Sequence, residues 1–213
     1  AIAHADRTYV IKPGVANYAG SRPGDIKYKN IAGEDDVVDD NDRTVIGSAL
    51  PKFIGGWNNT LNVGDFDLTL FMQFSVGNQI LNANRLYMES MTMNYTNQFV
   101  TVMDRWTPEN PSNEMFAVKG MRQANYSSRV VEDGSFLRFK TLTLGYSIPR
   151  KVLSKINIYK VRLYLTGQNL YTLSAYSGLD PEVSTQGNTT TPAFDFSAYP
   201  RSTNFLFGVN ITF

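Results

Sequence analysis

In 213 residues, 20 Lys and Arg face 19 Asp and Glu, and the resulting formal charge of +1 excludes a global pull toward nucleic acid or acidic lipid. The absence of cysteine removes disulfide scaffolds, thiol catalysis and Cys-ligated zinc together. No run approaches the ~20 apolar residues of a spanning helix, which excludes a helical inner-membrane protein but leaves membrane strands, apolar at every second position, allowed.

The first ten residues, A-I-A-H-A-D-R-T-Y-V, hold no charged leader followed by an apolar core, so no export signal is expected in this sequence. Residues 1 to 51 read as an irregular segment with breakers at Pro13-Gly14 and Pro23-Gly24, then a polar, acidic loop from Asn30 to Asp42. The first good strand is 52-63, with Phe53, Gly55, Trp57, Leu61 and Val63 on one face and Asn58, Thr60 and Asn62 on the other. Gly64-Asp65 is a tight-turn signal, and 65-76 returns with Phe66, Leu68, Leu70, Met72, Phe74 and Val76 on one side. Phe71 is the intruder on the polar side.

A long excursion, 77-130, intervenes, and its first half could hold helix before Pro108 and Pro111. Strand returns over 131-148, where Leu142, Leu144, Tyr146 and Ile148 share a face but Leu137 and Phe139 have the opposite parity. A one-residue slip exchanges the two faces of a strand, so a bulge is expected near Lys140-Thr141. A short connection leads to the strand 158-172, with Val161, Leu163 and Leu165 on one face and Lys160, Arg162, Tyr164, Thr166 and Gln168 on the other. A second long loop, 173-202, rich in Ser, Thr, Pro and Gly, leads to 203-213. There Phe205, Phe207, Val209, Ile211 and Phe213 face one way, and the segment ends on an aromatic residue as outer-membrane strand signals do.

These five strands alternate short and long connections. In an outer-membrane barrel the periplasmic turns are short and the extracellular loops long, so 77-130 and 173-202 are expected outside the cell. Five strands cannot close a barrel, and open edges in lipid leave backbone groups unpaired at several kcal/mol each. The predicted fold class is therefore all-β: the last strands of a larger transmembrane antiparallel barrel. The pattern leaves one alternative, a secreted soluble β-sandwich that binds carbohydrate and buries its apolar faces in a core.

A set of segments carries a resemblance. Pro23-Gly24-Asp25-Ile26-Lys27-Tyr28 leads into Asp39-Asp40-Asn41-Asp42-Arg43-Thr44-Val45-Ile46-Gly47 and Pro51-Lys52-Phe53. Arg105-Trp106-Thr107-Pro108-Glu109-Asn110-Pro111 and Val131-Glu132-Asp133-Gly134-Ser135-Phe136-Leu137-Arg138 follow. Then come Leu144-Gly145-Tyr146, Gly167-Gln168-Asn169-Leu170, Tyr176-Ser177-Gly178-Leu179-Asp180-Pro181-Glu182 and Tyr199-Pro200-Arg201. In this order they resemble the C-terminal region of the SusC/RagA family of TonB-linked outer-membrane transporters of Bacteroidota, from about residue 23 onward. The resemblance implies a barrel of about 22 strands, an N-terminal plug and a TonB-contacting segment elsewhere in the polypeptide. It also implies a SusD-like surface lipoprotein as partner, an oligosaccharide or oligopeptide as substrate, outer-membrane lipid around the wall, and a Gram-negative outer membrane as location.

Chemistry-bearing residues are few. Members of that family often carry an EF-hand-like D-x-N-G-D-G-x-I-D where this chain has its acidic loop, which makes Glu34, Asp35, Asp39 and Asp42 candidate calcium ligands. Asn30 and Ala32 stand at the first two ligand places, however, and Ala32 has no ligating side chain, so a solvated acidic loop is the competing reading. No other cofactor is expected. The single histidine, His4, lies in the irregular start, and no G-x-S-x-G, H-E-x-x-H or phosphate-cradling loop occurs, so no enzyme activity is expected. Tyr87, Tyr95, Trp106, Tyr126 and Tyr176, in the presumed outer loops, are the candidates for stacking on sugar or peptide, although Tyr and Trp also form interface girdles. Trp57 fits a girdle better, and Lys160, Arg162 and Gln168 are expected to face the lumen.

Overall fold

The computed structural model describes residues 2–3, 9–12, 14–32, 36–93, 95–121, 126–154, 158–185 and 191–213. The chain divides into two compact units, Ala1–Gly47 with Asn82–Val131, and Ser48–Leu81 with Glu132–Phe213. This division differs from the expected break at residue 51, because most of the 77-130 excursion folds with the N-terminal segment rather than standing as a separate loop.

The first unit has little regular structure. Its strands β1 (Ile2–Ala3) and β2 (Tyr9–Val10) pair antiparallel, and β3 (Asn17–Tyr18) and β4 (Val37–Val38) pair parallel. Among the described residues, helix in this unit is confined to α1 (Ala83–Met88) and short 3-10 turns such as Val100–Asp104. What joins the excursion to the N-terminal segment is backbone pairing: Ile26 N–H donates to Gly120 O at 3.1 Å, and Ala117 N–H to Gly24 O at 2.8 Å. Leu86, Val102, Met115, Phe116 and Val130 are buried in this unit. So is Glu89, which meets Arg85 at 3.2 Å and Arg129 at 2.9 Å, so that its charge is paired rather than stranded.

The second unit is built on one five-stranded antiparallel sheet, in the order β12-β10-β9-β6-β5. These are β5 (Phe53–Val63), β6 (Phe66–Val76), β9 (Phe136–Ser147), β10 (Lys160–Ser174) and β12 (Asn204–Thr212). The expected strand 131-148 is interrupted at Gly134-Ser135. Its first part, β8 (Val131–Asp133), joins β7 (Gln79–Asn82) and β11 (Phe194–Asp195) in a separate three-stranded sheet. A short helix, α2 (Arg150–Leu153), lies in the β9–β10 connection.

The register explains the mixed parity of β9. Phe71 pairs with Thr141 but Met72 with Phe139, so Lys140 is the extra residue, and the β9–β10 register shifts at the same level between Gln168 and Tyr171. The bulge lies where the slip in alternation predicts it. With it, Leu137 and Phe139 return to the face of Leu142, Leu144 and Tyr146.

Cross-strand rows then run unbroken over one face. Leu61, Leu68, Leu144, Leu165 and Phe207 stand side by side, and so do Val63, Phe66, Tyr146, Leu163 and Val209. Phe53, Trp57, Leu61, Phe66, Leu144, Leu165, Tyr171, Phe205, Phe207 and Ile211 are all exposed there. An apolar face of this extent is a surface made to be covered. Aromatic rings gather toward its two ends: Phe66 lies 4.7 Å from Tyr146 beside the β5–β6 turn, and Phe53 lies 6.2 Å from Phe74 at the far end. Leucines fill most of the middle, which is the aliphatic belt with aromatic girdles of a barrel wall.

Candidate functional site

The opposite face of the sheet is polar. Asp67 on β6 pairs with Gly145 on β9, and Arg162 on β10 stands diagonally across from them, opposite Ser147. Arg162 reaches over β9 to grip Asp67 with two hydrogen bonds, Nε to Oδ1 at 2.8 Å and Nη2 to Oδ2 at 2.5 Å. Gly145 is required for this, because a β-carbon there would collide with the Asp67 carboxylate and the Arg162 guanidinium. Two strand pairs higher, Thr143 and Thr166 share a hydrogen bond of 2.9 Å.

Near the bulge this face carries a buried ion cluster that reading the sequence missed. Arg138 is 2% exposed and donates from Nη2 to Asp180 Oδ1 at 2.5 Å, with Nη1 3.2 Å from Glu182 Oε2. Lys140, turned to the same side by the bulge, stands 3.6 Å from Glu182 and donates to Gln73 Oε1 at 2.7 Å. Arg201 closes the ring, 3.9 Å from Asp180 and 3.5 Å from Glu182. Burial alone would raise the Asp180 pKa, but hydrogen bonds from Arg138 and the Glu182 amide outweigh it and hold the carboxyl below its ordinary value. The cluster fastens both ends of the 173-202 loop to the wall. The signal for it was present in the Leu137-Arg138, Asp180-Pro181-Glu182 and Tyr199-Pro200-Arg201 segments, each noted for resemblance but assigned no role.

The structure separates the aromatic candidates. Trp106 and Tyr126 line one cleft of about 1430 Å³ in the first unit, together with Tyr18, Tyr28, Arg43 and Glu114. Trp106 is also committed to packing: its ring meets Tyr9 edge-on at 5.2 Å and lies against Gly24, whose φ of 88° and lack of a side chain permit the approach. Tyr126 is 59% exposed, Tyr87 43% and Tyr95 87%, and neither Tyr87 nor Tyr95 lines the cleft. Tyr176 is buried at 8% exposure, and its hydroxyl donates to Asp195 at 2.5 Å. Burial, reinforced by the Asp195 carboxylate, pushes its pKa well up. Its side chain holds loop 173-202 together rather than presenting a ring to solvent.

In the acidic loop, Asp42 accepts amide hydrogens from Ile31 at 2.5 Å, Ala32 at 2.9 Å and Asp39 at 2.8 Å, which lower its pKa. Asp39 in turn caps the turn Asp40–Asp42, accepting from the Asn41 amide at 2.7 Å. Both carboxylates are occupied in fixing the backbone. Glu34 and Asp35 lie outside the described residues, and among the described residues no group of three or more acids or histidines is placed to hold a metal ion. His4 also lies outside them.

No family model matches the chain. Among curated proteins, TonB-dependent receptor P3 of Formosa agariphila is 36% identical over 206 residues, covering 94% of this chain and 20% of the receptor. The chain belongs to the TonB-dependent receptors of the SusC/RagA type. TonB-dependent receptor SusC of Bacteroides thetaiotaomicron is 27% identical over 184 residues, 83% of this chain and 17% of SusC. Among solved structures, the RagAB peptide transporter superposes with a TM-score of 0.68 at 25% identity, over 78% of this chain and 18% of that one. The RagAB peptide importer in its open-open state gives 0.75 at 24% identity, over 93% and 22%. The chain thus spans about a fifth of the length of the relatives it matches. The five-stranded sheet is part of a transmembrane β-barrel wall in the outer membrane, with the apolar face toward lipid and the polar face toward the lumen. That excludes the soluble sandwich.

Proposed function

We propose that these residues are the C-terminal part of a TonB-dependent importer of oligosaccharides or oligopeptides, working with a SusD-like surface lipoprotein. The observation that carries the reading is the match to TonB-dependent receptors over nearly the whole chain, on a sheet with one continuous apolar face, much of it exposed. In this mechanism substrate is held between the outer loops and the lipoprotein lid, and energy delivered through TonB displaces a plug supplied by the rest of a barrel of about 22 strands. The chain's own residues supply lumen wall, lipid-facing wall and outer loops, and catalyse no reaction. The Arg138–Asp180–Glu182–Arg201 cluster gives the 173-202 loop a fixed seat from which to meet the lid. The cleft beside Trp106 and Tyr126 offers aromatic and polar groups to an oligomeric ligand.

Uptake by cells tests this. Cells lacking the encoding gene should lose uptake of labelled oligopeptides or oligosaccharides of one class and regain it with the intact gene. A surface lipoprotein should co-purify with the full-length protein. Undiminished uptake of both classes, with no lipoprotein recovered, would refute the reading.

A further inference from the structure

The short β9–β10 connection carries a cationic site on the lipid side of the barrel rim. In register, Lys160 pairs with Thr212 on the lumen face, so Tyr159 and Phe213, one residue further, fall on the lipid face. Tyr159 is anchored there by donating its amide hydrogen to Thr212 O at 2.9 Å, and it is 58% exposed. The Arg150 guanidinium lies over its ring, 4.9 Å from the centroid. A guanidinium stacked on a lipid-facing tyrosine is itself on the lipid side, not in the lumen. Lys151 and Val152 follow, both exposed.

Neither Arg150 nor Lys151 has an ion pair among the described residues. At the same end of the sheet, Asp67 is bound to Arg162 on the opposite face, and the Asp65 backbone carbonyl in the β5–β6 turn accepts from the Ser147 amide. Stacking leaves the guanidinium edge free to donate, and that planar fork matches phosphate oxygens. Ile211 and Phe213, both exposed on the same face, offer an apolar bed directly beside it.

We propose that Arg150, Lys151 and Tyr159 form a binding site for the phosphate headgroup of an acidic glycerophospholipid. Its acyl chains would lie along Ile211 and Phe213. Short turns lie on the periplasmic side of outer-membrane barrels, so the lipid comes from the inner leaflet, which is the phospholipid leaflet the short connection reaches. The site rests on the membrane placement of the sheet and is independent of the substrate and lid.

Native mass spectrometry of the full-length protein, released from detergent with added phosphatidylglycerol, phosphatidylethanolamine or phosphorylated lipid A, tests it. The wild type should retain phosphatidylglycerol, and Arg150→Gln and Tyr159→Leu should each reduce retention several-fold. Lys52→Gln, which removes a charge at the far end of β5, should leave retention unchanged. Equal retention by wild type and Arg150→Gln overturns the proposal. So does an equal loss in Lys52→Gln, or Arg150-dependent retention of lipid A in place of phospholipid.

Discussion

At the scale of single residues, the polar face is held by charges whose worth depends on burial. Asp67 and Arg162 are about a quarter exposed, so Asp67→Asn should cost at most ~1 kcal/mol. Gly145→Val should cost more, since it wedges the pair apart as well as removing it; thermal unfolding of the detergent-solubilised protein would rank the two. Arg138→Gln is the more severe change: it leaves Asp180 and Glu182 short of a partner at a site where breaking a buried pair costs about 3–5 kcal/mol. Its expected effect is local, with loop 173-202 becoming protease-sensitive while the sheet stays folded. The sign of the pH dependence follows from Asp180, whose folded pKa lies below its ordinary value. Its contribution is fully present above that ordinary value and disappears as pH falls through the lower folded value. Loop protection, followed by hydrogen exchange, should therefore persist at mildly acidic pH and fail only below the usual carboxylate range. Protection lost near neutrality would show that another group governs the loop. Tyr176→Phe should loosen the same loop by ~1–3 kcal/mol, because Asp195 is buried and loses its donor.

At the scale of elements, β9 carries one inserted residue, which the bulge absorbs. Deleting Lys140 would leave a plain β6–β9 ladder in which Leu137, Phe139, Leu142, Leu144 and Tyr146 still share a face. That variant should still reach the heat-modifiable folded form on gel electrophoresis, whereas deleting Thr143, which has no bulge to absorb the slip and turns one end of the strand over, should not reach it. That bulge could be read from the sequence because alternation is a two-residue signal and its failure at one place is visible. The same rule made the five strands legible. The ion cluster was not, because Arg138 lies on a strand and its partners on a distant loop, and no periodicity links them. The first unit was opaque for a related reason. Its segments are joined by isolated backbone bonds, such as Ala117 to Gly24, which leave no pattern in side chains. Tyr176 and Trp106 looked alike as loop aromatics; only the partners around them, Asp195 for one and Tyr9 and Gly24 for the other, tell them apart.

At the scale of the whole molecule, the sheet has edges on β5 and β12 that are unpaired among the described residues, and in lipid such edges must be closed by further strands. Expressed alone, these residues should stay protease-sensitive in detergent micelles and form no stable barrel; a resistant monomeric barrel would contradict this. In outer-membrane extracts the polypeptide that contains them should have a mass on the order of 100 kDa, as the proposed barrel of about 22 strands with its plug would require.

The spacing of the ring-bearing rows has a further consequence. Phe66 and Phe74 bracket the leucine belt on β6, a distance of about 26 Å along the strand at ~3.3 Å per residue. A strand tilted by roughly 40° spans only about 20 Å of that along the membrane normal. The wall is thus cut for a thin bilayer, as bacterial outer membranes are. In a thicker, sterol-rich membrane it would meet hydrophobic mismatch all round its perimeter, and the lipid beside it would have to compress.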